Sequence, residues 1–217
     1  MNIRRALLLI PVLASPLLLT GCGNGSIDGY TTAGANVYAE QDGSIIRSTS
    51  ADSTGYFNLT SLDMNNGNYD VVISGSTSNT AYNTTVIASV PVNATSATSV
   101  STSSAPLTLA TTNTGTVSGT VNTSASATVY AQQVINGLTY VIALTTPDSS
   151  SGNYAFTLPT TAPLYATYNS SGTTPSAVSS SAGAYTIEAI STANNTQSSA
   201  ITVASGGTTT VNFTSLN

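Results

Sequence analysis

The chain has 217 residues, with 3 Lys plus Arg, 8 Asp plus Glu, no His and one Cys, for a formal net charge of −5. So few cations cannot neutralise a run of phosphates, which excludes nucleic-acid binding, and without His or paired Cys the usual transition-metal ligands are missing. Solubility rests on Ser, Thr and Asn, while the wealth of Val, Ile, Thr and Tyr, residues that fit a pleated half-buried surface, predicts an all-β protein and not a disordered one.

The first segment, MNIRRALLLIPVLASPLLLTGC, sets Arg4 and Arg5 before an apolar run from Ala6 to Leu19 that Pro11, Ser15 and Pro16 interrupt. A bilayer span takes roughly 20 apolar residues; a basic start, a short apolar core and small residues after it are the marks of a secretory signal. Leu19-Thr20-Gly21-Cys22 resembles the lipobox of bacterial lipoproteins. That resemblance implies a signal peptide over 1–21, cleavage before Cys22, a diacylglycerol on its thiol and an acyl chain such as palmitate on the new amino group. It also implies, from Gly23, sorting to the outer membrane. Several acyl chains hold a protein on a bilayer stably, and lipidation would consume the one thiol that an oxidising compartment makes a liability. Removing Arg4 and Arg5 leaves Arg47 as the one cation against all 8 acidic residues.

From residue 25 the chain alternates short β-rich runs with Gly, Asn, Asp and Ser clusters. GSIDG (25–29) opens the pattern, and NVYAEQ-DG-SIIRSTS (36–50) predicts a hairpin with a two-residue type I′ turn at Asp42-Gly43. ADSTGYFNL (51–59) reads as a turn and a strand, and GNYDVVIS (67–74) places Tyr69, Val71 and Ile73 on one face. A tract of Ser, Thr and Ala over 93–115 resembles acceptor regions of bacterial O-glycosylation, and is otherwise expected to be flexible or an edge strand; its end, ATTNTG (110–115), is the expected linker.

The pattern then repeats. GTVSG (115–119) answers GSIDG, TVYAQQVI-NG-LTYVIALTTPD (128–148) answers the first hairpin with a turn at Asn136-Gly137, GNYAFTL (152–158) answers GYFNL, and GAYTIEAIS (183–191) answers GNYDVVIS. Each arm of the second hairpin is two residues longer. Because side chains alternate with period 2, that extension lengthens the hairpin without turning its core face outward. Further runs carry Ile201 and Val203, then Val211 and Phe213. The expectation is two tandem antiparallel β-sandwich domains, 25–110 and 115–217, the second interrupted by an insertion over 158–183. The strand of Ile27, Ala35-Asn36-Val37, the turn and strand Asp52 to Leu59, Gly67 to Val71 and the ending SGGTTTVNFTSL (205–216) resemble the carboxypeptidase regulatory-like domains. That resemblance implies a transthyretin-like sandwich and a non-catalytic accessory role.

Chemistry is sparse. No His or Lys can act as base for a serine nucleophile. Asp42, Asp52 and Asp148 each offer one carboxylate where a calcium loop clusters several, and they read as turn-stabilising residues. A glycosidase needs two carboxylates, and nothing in the sequence brings Glu40 and Glu188 together or raises the pKa of either. No catalytic residue, metal site or cofactor is expected. Tyr69, Tyr154 and Tyr185 read as core rings with hydroxyls at the rim. Tyr165 and Tyr168, in the insertion, are the candidate ligand-binding residues, since exposed coplanar tyrosines stack on sugars and binding loops carry such residues. The expected function is a lipid-anchored cell-envelope protein with a structural, adhesive or accessory role and an envelope glycan or protein partner; the alternative is a glycan-binding surface lipoprotein that uses the insertion.

Overall fold

The structure, a computed structural model, describes residues 24–77, 80–122, 126–214 and 216. The signal segment 1–21 and Cys22 lie outside the described residues. The first half forms β1 (Asn24–Tyr30), β2 (Asn36–Gln41), β3 (Ser44–Ser50), β4 (Tyr56–Asp63), β5 (Tyr69–Thr77), β6 (Thr80–Val90) and β7 (Thr98–Ser99). The second forms β8 (Thr114–Thr120), β9 (Ala127–Ile135), β10 (Leu138–Thr145), β11 (Asn153–Pro159), β12 (Leu164–Thr167), β13 (Ser176–Ala177), β14 (Ala184–Ser191), β15 (Thr196–Thr202) and β16 (Thr208–Thr210).

The fold is all-β, and its two halves share one topology. A three-stranded sheet in the order β4-β1-β7 is matched by β11-β8-β16, and the run β6-β5-β2-β3 is matched by β15-β14-β9-β10. Only β12 and β13 lack a counterpart. Pairing is antiparallel except at β1–β7, β8–β16 and β6–β12. The first two parallel ladders arise because the last strand of each half crosses to the other sheet and runs beside the first strand, as only a crossover connection allows.

Both hairpin turns have the backbone their residues dictate. Asp42 and Gly43 have φ of 49° and 75°, and Asn136 and Gly137 have φ of 53° and 84°. Gln41 pairs with Ser44 and Ile135 with Leu138, so each loop has two residues. Both ladders carry an irregularity at equivalent places, beside Ala39 and beside Ala131. Past it the first hairpin has the rungs Glu40–Ile45 and Gln41–Ser44; the second runs on from Gln132–Val141 to Ile135–Leu138. The second tip therefore reaches about 7 Å further at the rise of a strand.

Alternation fills two cores. Val37, Ala39, Phe57, Leu59, Tyr69, Val71 and Ile73 belong to one cluster; Val129, Ala131, Tyr154, Phe156, Leu158, Tyr185 and Ile187 belong to the other. The tyrosine hydroxyls find carbonyls, Tyr69 donating to Asp63 at 2.9 Å, Tyr154 to Val211 at 2.7 Å and Tyr185 to Pro159 at 2.8 Å. Asp52 and Asp148 close their turns: Asp52 Oδ1 accepts from the Thr54 and Tyr56 amides, and Asp148 Oδ1 from the amides and hydroxyls of Ser150 and Ser151. The hydrogen bonds to Thr54 and to Ser150 lead in holding both carboxyls below the usual range.

Of the two forms expected for the tract 93–115, the structure shows the edge strand. The tract supplies β7, buries Val100 and Leu109 in the first core, and ties back through Val100 N to Asp28 O and Leu107 N to Tyr30 O. Its closing portion is pinned as well, since Asn113 O accepts from Thr160 N at 2.9 Å. A few apolar residues in register suffice to seat a strand of Ser and Thr.

Candidate functional site

In β2 and β5 the alternation gives way to burial on both faces, with Val37, Tyr38, Ala39 and Glu40 all buried, as are Val71, Val72, Ile73 and Ser74. Residues of one parity face the first core. Tyr38, Val72 and Val86, of the other parity, join the cluster of the second half. The two halves thus meet across the outer face of the β2–β5–β6 sheet. A strand buried on both sides loses polar alternation, which is why VYA and VVI read as continuous apolar runs.

The long hairpin of the second half lies on that face with β10 as its edge. An edge strand presents unpaired amides and carbonyls, and here side chains of the first half occupy them. Glu40 Oε2 accepts from Val141 N at 3.1 Å, and Ser74 Oγ donates to Ile142 O at 2.6 Å. Tyr140 donates its hydroxyl to Asp70 Oδ2 at 3.0 Å, while Asp70 Oδ1 accepts from Ser89 N at 2.8 Å. Glu40, Asp42, Gly43 and Asp70 face the hairpin tip residues Gly137 to Tyr140 across a cleft of about 380 Å³.

Glu40 is the unusual group. It is 1 % exposed, and Oε1 has no hydrogen-bond partner among the described residues. Burial pushes its pKa up to about 8, with the Asp70 carboxyl adding to the rise and the Val141 N–H opposing it. Nothing in the sequence around Glu40 signals this rise. Glu188 stands elsewhere, on β14, where it accepts from Gln132 Nε2 at 2.8 Å. Burial, then Asp70, also raises the pKa of the Tyr140 hydroxyl. Among the described residues no three His, Cys, Asp or Glu side chains group as a metal site.

The insertion serves the same junction. β12 pairs in parallel with β6, Leu164 opposite Thr85 through Thr167 opposite Ala88, and Tyr168 N continues the ladder to Ala88 O at 2.8 Å. Two strands of the second half, β12 and β13, thereby extend a sheet of the first from four strands to six. Tyr165 packs against the cluster of the second half and Tyr168 against that of the first. The two half-buried rings thus pack against different cores. Thr161 adds a further tie, its hydroxyl bonding Asn83 Oδ1 and Thr112 Oγ1.

The sequence gives no sign of β12, because a parallel pairing between distant segments leaves no local pattern. The double burial of β2 and β5 does leave one, in the apolar Tyr38 and Val72 on faces that alternation assigns to solvent.

No family model and no curated protein matches the chain. A solved structure described as a Ca2+-stabilised adhesin that helps an Antarctic bacterium reach out and bind ice is similar at 16% identity, with a TM-score of 0.23. The similarity covers 88% of this chain and 45% of that one, so this chain spans less than half its length. Among the described residues no helix is long and apolar enough to cross a membrane.

Proposed function

We propose that the chain is a lipid-anchored protein of the bacterial cell envelope, held on the outer membrane through Cys22, in which two sandwiches of the carboxypeptidase regulatory-like type act together as a non-catalytic structural or adhesive module. The observation that carries this reading is the junction. The edge strand β10 and the insertion strand β12 both fasten one half to the other. Such a body is suited to hold a fixed length and orientation above a membrane. Tyr165 and Tyr168 are engaged in that fastening, so no observation favours the glycan-binding alternative.

The anchor is tested by metabolic labelling with palmitate and by fractionation. The native protein is expected to take up label and stay with the membrane in high salt; Cys22→Ser is expected to lose the label and to appear as an unprocessed or soluble form. Normal processing together with salt-resistant membrane association of Cys22→Ser would overturn the reading.

A further inference from the structure

We propose that Glu40 is a proton-operated latch of the junction, its neutral carboxyl holding the β9–β10 hairpin on the β2–β5–β6 sheet and its ionisation loosening that contact. The geometry supplies each part. Glu40 lies on the face of β2 that the second half covers, and its bond to Val141 N spans the contact. Its other oxygen has no donor to offset a negative charge, so an ionised carboxylate is stabilised by leaving the junction and meeting water.

The surroundings offer no compensation. On its own strand stands Tyr38; across the ladder on β5 stands Asp70; from β10 comes Tyr140, with Tyr165 of β12 beside that ring; Asp42 lies at the turn of the same cleft. All of these are neutral or acidic, so a rise in pH can only add negative charge. Arg47, the one cation among the described residues, is exposed and donates to the carbonyl of its neighbour Ile46.

The sign follows from linkage. In the open junction Glu40 meets solvent and titrates near 4.5, whereas closed it titrates near 8. Between those values the closed form holds one proton more, so the opening constant rises about tenfold per pH unit and levels off above the closed value.

The test is amide hydrogen exchange by NMR from pH 5 to 9, expressed as protection factors so that intrinsic rates cancel. The Val141 amide is expected to lose protection about tenfold per unit between pH 5 and 7.5, then to level off, while amides of the β1–β4 ladder hold constant. In Glu40→Gln the Val141 value is expected to be flat. The chain has two glutamates, Glu40 and Glu188, so glutamate labelled at Cδ gives two signals, assigned with Glu188→Gln, that report the titration in the native protein even where Glu40→Gln fails to fold. A Glu40 signal that titrates below pH 5 would overturn the proposal. So would a pH-independent Val141, a slope that persists in Glu40→Gln, or an equal loss across the β1–β4 ladder, which would mark a global rather than a junctional effect.

Discussion

Asp148 shows how much one side chain does where charge is scarce. Its Oδ1 gathers the amides and hydroxyls of Ser150 and Ser151, and these donors hold the carboxyl below its ordinary range. A lowered folded-state pKa contributes stability that is present above the unfolded value and is lost as the pH falls through the folded one. Asp148→Ala is therefore expected to melt at a lower temperature than the native protein at pH 7, with the difference shrinking in strong acid. Thermal melts at pH 7 and pH 2 check this; an equal difference at both would mean that the residue acts through packing alone. The role was legible because an Asx turn is local chemistry, written within four residues. Glu40 was not legible. Its burial is made by Val141 and Tyr140, a hundred residues away, and by Asp70, and no neighbour in sequence announces them.

At the scale of elements, the hairpins carry the strongest local information. Asp-Gly and Asn-Gly fix the turns, and the equal irregularities beside Ala39 and Ala131 fix the register from which the longer second hairpin is measured. Gly137 has φ 84° and open space around the position a Cβ would take. Strain, not contact, therefore sets the cost of Gly137→Val, expected at about 1–3 kcal/mol. Gly137→Asn, which tolerates the left-handed region, is expected to cost less. Chemical denaturation of the two variants checks the order, and equal losses would contradict a type I′ turn. What stayed hidden at this scale is equally physical. The Ser- and Thr-rich tract that ends the first half lacks the alternation that marks strands, so β7 shows only through Val100 and its bond to Asp28. β12 depends on a partner strand that no local rule identifies.

At the scale of the molecule, the two matching topologies mean that each half owns a complete set of seven strands. Yet Tyr38, Val72 and Val86 are buried by the other half, and β12 belongs to one half by chain and to the other by hydrogen bonds. Burying each large apolar side chain contributes about 1.5–3 kcal/mol, so these three residues couple the halves by several kcal/mol. That is comparable with the whole stability of an ordinary domain, about 5–15 kcal/mol. With Glu40 neutral at pH 5.5 the latch is shut; unfolding either half strips cover from the other, and unfolding the second also takes β12 from the first half's sheet. Calorimetry at pH 5.5 is accordingly expected to give one transition, with calorimetric and van't Hoff enthalpies in agreement. Val86→Ala, at the shared face, is expected to lower protection in both halves together by roughly 1–3 kcal/mol. Two resolved transitions at pH 5.5, or a Val86→Ala effect confined to the first half, would show that the sandwiches are joined in the chain but independent in energy. A module meant to keep a fixed length would then have to obtain its stiffness from something other than this junction.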